Sequence, residues 1–231
     1  MTREIVLDTE TTGFDPEEGH RLVEIGCVEL EGHIPTGRTY HQYINPERDV
    51  PAEAVAVHGL TQARLKTEPT FGEIVGDFLD FIGEAKLVIH NAEFDMKFLN
   101  AELKIFGFPP LPFRRAVDTL VMAREKFPGS PANLDALCRR FNIDNTNRTL
   151  HGALLDSELL AEVYMELLGG RQQALGIEET RAGSGAAQKE AGDASDAPAR
   201  PVRAARSFPA SAEELEAHQK MMETLSGAAA K

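Results

Sequence analysis

The chain has 231 residues, with 24 Lys and Arg against 37 Asp and Glu, and a formal net charge of −13 at pH 7. That length holds one sizeable domain plus a tail, or two small domains, and a hydrophobic content of 42% supplies a core, so whole-chain disorder is excluded. The acid excess also excludes a protein that grips nucleic acid through bulk positive charge.

No stretch approaches the roughly 18 apolar residues of a membrane span. MTREIVLD lacks the basic start, apolar run and small-residue cleavage site of a secretory signal. Cys27 and Cys138 lie far apart inside apolar stretches, as expected of buried thiols in a cytosolic protein rather than a disulfide scaffold or a zinc site.

In chain order, Ile5-Val6-Leu7 reads as a strand buried on both faces. Residues 21–30 (RLVEIGCVEL) and 39–44 (TYHQYI) read as two further strands. Residues 70–82 carry apolar side chains at 71, 74, 75, 78, 79 and 82, a helical period. A short strand is predicted at 86–89, a helix at 93–106, a last strand at 115–117 and a helix from about Thr119. Further helices are predicted at 133–141 and 153–168. Three consecutive strands, then alternating helix and strand, then helices indicate an α/β fold: a mixed sheet with helices on its faces. After Gly169-Gly170 the composition shifts to Ala, Gly, Glu, Asp, Ser and Arg over 178–205, the signature of a flexible linker. Residues 211–225 read as a short helix, Ser211 and Glu214 forming a capping box. Its thin apolar stripe suits a segment that orders on a partner.

Four carboxylates stand where solvated charge is not expected. Asp8 follows the first apolar run and Glu10 lies two residues on. Residues two apart on a strand share a face, so these acids project side by side and repel. The alternatives are a solvated strand end and a bound cation. Asp95, after the strand at 86–89, borders an apolar helix face through Phe98 and Leu99; a helix-start acid favoured by the dipole is the plainer reading. Asp156 lies within the stripe of Leu159, Leu160 and Val163. A partly buried carboxylate there costs several kcal/mol in order of magnitude unless it is paired or binds metal. His151 sits about 140° from Asp156 if both are helical at ~100° per residue. It reaches the same place only from the loop before the helix, and Gly152 permits such a bend. Oxygen ligands select hard cations, and several carboxylates with one histidine suit a pair of metals about 3.5–4 Å apart.

DTETTG at 8–13, HNAEFD at 90–95 and HGALLD at 151–156 resemble the three ordered motifs of the DEDDh exonucleases, with four acids and a histidine. Within that group, PAEAVAVHGLT at 51–61, residues 127–156 and LAEVYMELLGG at 160–170 are similar to the epsilon subunits of bacterial DNA polymerase III, the proofreading 3′→5′ exonucleases. The resemblance implies a ribonuclease H-like fold over residues 1–170, a five-stranded mixed sheet flanked by helices, with a flexible C-terminal tail. It implies that Asp8, Glu10, Asp95 and Asp156 bind two divalent cations, Mg²⁺ or Mn²⁺, and that His151 is the general base. Glu53 and His58 match positions used around the terminal nucleotide, and Thr9 and Thr11 flank the acids at the 3′ end. His90 is expected to hold the shape of the site, and Asp118 to cap a helix. The implied reaction hydrolyses the terminal phosphodiester of a single-stranded or frayed DNA 3′ end and releases a 5′-mononucleotide.

The tail extends the resemblance. Residues 171–210 read as the linker, and QQALGI at 172–177 resembles a weak sliding-clamp-binding motif through Gln172, Leu175 and Ile177. Residues 211–231 resemble the segment that binds the polymerase alpha subunit, and a small third core subunit is a further implied partner. The implied setting is a bacterial, nucleoid-associated replisome in the cytoplasm, with no membrane partner. Two other readings stay open: an RNA-trimming exonuclease with the same acids and histidine, and a replication scaffold with secondary nuclease activity.

Overall fold

In the computed structural model, the first strand does not stop at its apolar run. β1 (Arg3–Thr11) continues through Asp8 and Glu10, carried by its pairing to β2 (Leu22–Glu31), which in turn pairs with β3 (Ile34–Tyr43). The structure describes residues 2–170 and, in the tail, His218 and Gln219. The sheet runs β3-β2-β1-β4-β5, with β4 (Lys86–Ile89) and β5 (Ala116–Asp118). β1, β2 and β3 are antiparallel to one another, while β4 is parallel to β1 and β5 parallel to β4. This is the five-stranded mixed sheet expected.

The helices are α1 (Ala52–His58), α2 (Gln62–Leu65), α3 (Phe71–Ile82), α4 (Ala92–Ile105), α5 (Thr119–Lys126), α6 (Leu134–Phe141) and α7 (Ala153–Leu167). On one face of the sheet Ile5, Leu7 and Leu87 pack with Phe71 and Phe78 of α3 and with Phe98 and Leu99 of α4. On the other, Val6, Val28 and Val88 pack with Leu160 and Val163 of α7 and Leu137 of α6. Each strand of the centre is covered on both sides, which is why the first reads as a continuous apolar run.

Two differences from the sequence expectation have clear causes. β3 starts at Ile34 rather than Thr39, because Pro35 and Gly37, read as turn residues, sit in an exposed edge strand where a missing donor does no harm. α1 and α2 were not predicted, since seven and four residues are too few to register a helical period. Pro51 and the left-handed Gly59 bound α1. Both cysteines are buried and free, as expected. Among the described residues no helix is long and apolar enough to cross a membrane. His218 and Gln219 are helical and exposed. The rest of the segment read as a helix, the linker and the motif at 172–177 lie outside the described residues.

Candidate metal-binding active site

The site forms where β1, α4 and α7 meet. Asp8 and Glu10 share the strand parity of Val6, which packs against α7, so both acids face that helix. The pairing of β1 with β2 shifts register between Glu10 and Thr11, a bulge that ends the regular ladder at the second acid. Opposite Asp8 stands Gly26 of β2. The first turn of α7 lies directly on it: a Cβ at Gly26 would fall onto the Ala153–Leu154 backbone. Ser157 of α7 donates its hydroxyl to the Gly26 carbonyl at 2.9 Å. The helix is thereby seated against the strand, and Asp156, 3% exposed, is presented to β1.

His151 stands before α7, on the entering loop. Its own N–H donates to the Val57 carbonyl of α1 at 3.1 Å, which fixes the loop to that helix. Gly152 is extended, at φ −156°, and a Cβ there would meet open space, so the bend expected of it does not need glycine. One ligand atom from each of Glu10, His151 and Asp156 lies within 4.8 Å of the others.

α4 supplies Asp95 in its first turn, 3% exposed. The Thr9 hydroxyl, on the opposite parity of β1, donates to Asp95 Oδ1 at 2.7 Å. Asp118 caps α5, accepting from the N–H groups of Leu120 and Val121, as the sequence indicated. It also accepts from the N–H groups of Asn91 and Ala92 at the start of α4. One carboxylate therefore anchors the helix that carries Asp95. His90 bonds the Thr119 hydroxyl through Nδ1 at 2.9 Å.

Burial first, then crowding by like charge, sets the protonation of this cluster. Asp8 is pushed well above the ordinary carboxylate range by burial and by Asp95, Glu10 and Asp156. Glu10 is pushed up to about 8 by burial, then by Asp156 and Glu24, and Asp95 up to about 7 chiefly by burial. Glu24, buried at 3% exposure, faces Glu10 across the β1–β2 ladder and bonds His41 Nε2 at 2.7 Å. Arg148 opposes the acids. Its Nε and Nη2 donate to the two oxygens of Asp156, Nη1 donates to Asp135 at 2.9 Å, and Nη2 donates to His151 Nδ1 at 2.8 Å. Neither Arg148 nor Glu24 was singled out from the sequence. Arg148 falls in a polar stretch without period; the signal for Glu24 was a charge on the same strand face as Gly26, opposite the acids.

The cleft has a volume of about 400 Å³ and is lined by Asp8, Thr9, Glu10, Asp95, His151 and Asp156 among others. Thr11 donates its hydroxyl to the Gly13 carbonyl at 2.6 Å. Glu53 is exposed in the first turn of α1 and outside the cleft lining. His58, at the other end of α1, is buried, and burial holds its imidazole below the ordinary range. Nδ1 accepts from the Leu60 N–H at 3.0 Å, while Nε2 has no hydrogen-bond partner among the described residues.

Buried oxygen donors that repel one another fit divalent cations, whose charge removes the repulsion and whose hardness matches carboxylate. A family model described as Exonuclease matches residues 5–164. A protein of Rickettsia conorii described as DNA polymerase III subunit epsilon is 58% identical over 175 residues, covering 74% of this chain and 76% of its own. The protein of the same description from Salmonella typhimurium is 44% identical over 233 residues, covering 96% and 93%. The fold is similar to the nuclease domain of 3′hExo, a DEDDh family member, with a TM-score of 0.61, 22% identity and coverage of 72% of this chain and 91% of that one.

Proposed function

The chain belongs to the exonuclease family and, within it, to the DNA polymerase III epsilon subunits, and from that premise we propose that it proofreads DNA by 3′→5′ hydrolysis of the terminal phosphodiester. The observation that supports this most is the convergence of Glu10, His151 and Asp156 beside Asp8 and Asp95 in one cleft. Asp8, Glu10, Asp95 and Asp156 are the residues that would hold two divalent cations, with Mg²⁺ or Mn²⁺ as the hard cations that suit them. Such cations supply positive charge where the attacking water and the departing 3′ oxygen of an in-line displacement need it.

The chain's own groups do the rest. His151, tethered to α1 by its backbone and half exposed at its side chain, takes a proton from the attacking water. Thr9 holds Asp95 in place from the opposite parity of β1. The Thr9 and Thr11 hydroxyls have protein partners, so their backbone is what they offer a bound 3′ end. His58 Nε2, buried without a partner among the described residues, is a donor available to the terminal nucleotide, and Glu53 is an exposed acceptor on the same helix. The proposed partners are a DNA 3′ end, the polymerase III alpha subunit, the sliding clamp through residues 172–177 and a small third core subunit, in the bacterial cytoplasm.

The test is degradation of a 3′-end-labelled primer with a terminal mispair, with and without Mg²⁺. The wild-type chain shortens it only with Mg²⁺, and Asp8→Ala shortens it under neither condition. Mg²⁺-independent degradation, or activity retained by Asp8→Ala, overturns the assignment. A matched oligoribonucleotide separates DNA proofreading from RNA trimming.

A further inference from the structure

One cation holds both a proposed metal ligand and the proposed base. Arg148, whose side chain is 8% exposed, forks onto both oxygens of Asp156. The same guanidinium reaches His151 Nδ1 at 2.8 Å. A guanidinium has donors and no acceptor, so Nδ1 must be the acceptor, with its lone pair committed to this bond. The third arm, Nη1, rests on Asp135 of α6, which is half exposed at the rim of the cleft. A dication on Asp156 and a guanidinium on both its oxygens repel at close range.

We propose that Arg148 is a built-in counter-cation of the metal-free site: it occupies Asp156 and His151 until divalent cations bind, then withdraws from both while Asp135 retains it. This rests on the two-cation reading above. Arg148 is thus a positioning residue. Its departure frees the carboxylate and the imidazole lone pair together, so the base is available only in a loaded site.

Titration calorimetry with Mn²⁺ on the full chain tests it. Arg148→Met removes the competitor, so Mn²⁺ is expected to bind about tenfold tighter or more than to the wild-type chain, which corresponds to about 1.4 kcal/mol per tenfold. Arg148→Lys keeps the charge and is expected to stay within a few-fold of wild type. In EDTA the Met variant melts lower than wild type, and Mn²⁺ closes that gap. A role confined to structure would weaken Mn²⁺ binding or leave it alone, and either result overturns the inference. In the unaltered chain, the Arg148 Nε–H resonance, identified by its absence from Arg148→Lys, is expected to lose protection from solvent exchange on adding Mg²⁺. Unchanged protection also overturns it, whether or not Arg148→Met folds. If the wild-type chain binds neither Mn²⁺ nor Mg²⁺, the two-cation reading itself fails. If it binds them and Arg148→Met binds no tighter, the reading stands and only the counter-cation role is lost.

Discussion

Glu10 and Asp95 carry a pH signature that follows from their burial. With folded values of about 8 and about 7, each holds its proton more tightly in the folded chain than in the unfolded one. Below about pH 4 both states are protonated and nothing is lost. As pH rises through the ordinary carboxylate range the unfolded chain ionises first, so stability falls up to about pH 8. The loss is on the order of a few kcal/mol for each group. Melting in EDTA is therefore expected to be lower at pH 8 than at pH 5.5, and Mg²⁺ is expected to restore it at pH 8. A melting temperature in EDTA that rises over this interval contradicts the scheme. His151 gives a second prediction at this scale. Because its backbone N–H, not its ring, ties the loop to Val57, His151→Gln keeps the loop in place. Hydrolysis of a labelled primer should fall roughly 10²–10⁴-fold, while Mn²⁺ binding by calorimetry stays within a few-fold of wild type.

The elements position these residues through close backbone contacts. Gly26 is the tightest: α7 can lie on β2 only where no Cβ intervenes, and Asp156 rides on that contact. Gly26→Ala is expected to lower stability by about 1–3 kcal/mol in urea unfolding, as overpacking does. It is also expected to lower activity by more than the folded fraction accounts for, because the shifted helix carries Asp156. Gly152 makes the contrast. It is extended and faces open space, so Gly152→Ser, a better N-cap, is expected to leave unfolding unchanged or slightly stabilised. The element scale is also where sequence reading was weakest. α1 holds the His151 loop and carries Glu53 and His58, yet its seven residues gave no period to read.

For the whole molecule, the charge of −13 divides into kinds. Asp8, Glu10, Asp95 and Asp156 crowd one cleft and call for cations rather than solvent. Others are buried in pairs: Glu102 takes a two-armed bond from Arg21, and Glu4 is held by Tyr164 and His33. What remains still disfavours free-standing capture of DNA, which suits an enzyme delivered to a primer end by tethering. A chain ending at Gly170 is accordingly expected to hydrolyse short oligonucleotides at a rate within a few-fold of the full chain, and to lose co-purification with a polymerase alpha subunit. Loss of hydrolysis by the truncated chain contradicts a catalytic domain bounded at residue 170.

Periodicity made much of this legible. The two-residue spacing of Asp8 and Glu10 placed them on one strand face, and the helical stripe through Leu159, Leu160 and Val163 betrayed Asp156 as a charge turned inward. Both signals are local, because side-chain direction in a strand or helix is fixed by backbone geometry within a few residues. The motif resemblance added His151 and Asp95, whose local patterns alone were ambiguous. Tertiary structure alone decided the rest. The partners of Asp156 come from a polar loop, the seat of α7 is a glycine 127 positions before it at Gly26, and one aspartate, Asp118, caps two helices. Such contacts join residues far apart in the chain, and no period along the sequence encodes them. The sequence by itself determined which acids face inward, because strand and helix periods fix side-chain direction locally; the packing of α7 on β2 and the reach of Arg148 decided what those groups meet there.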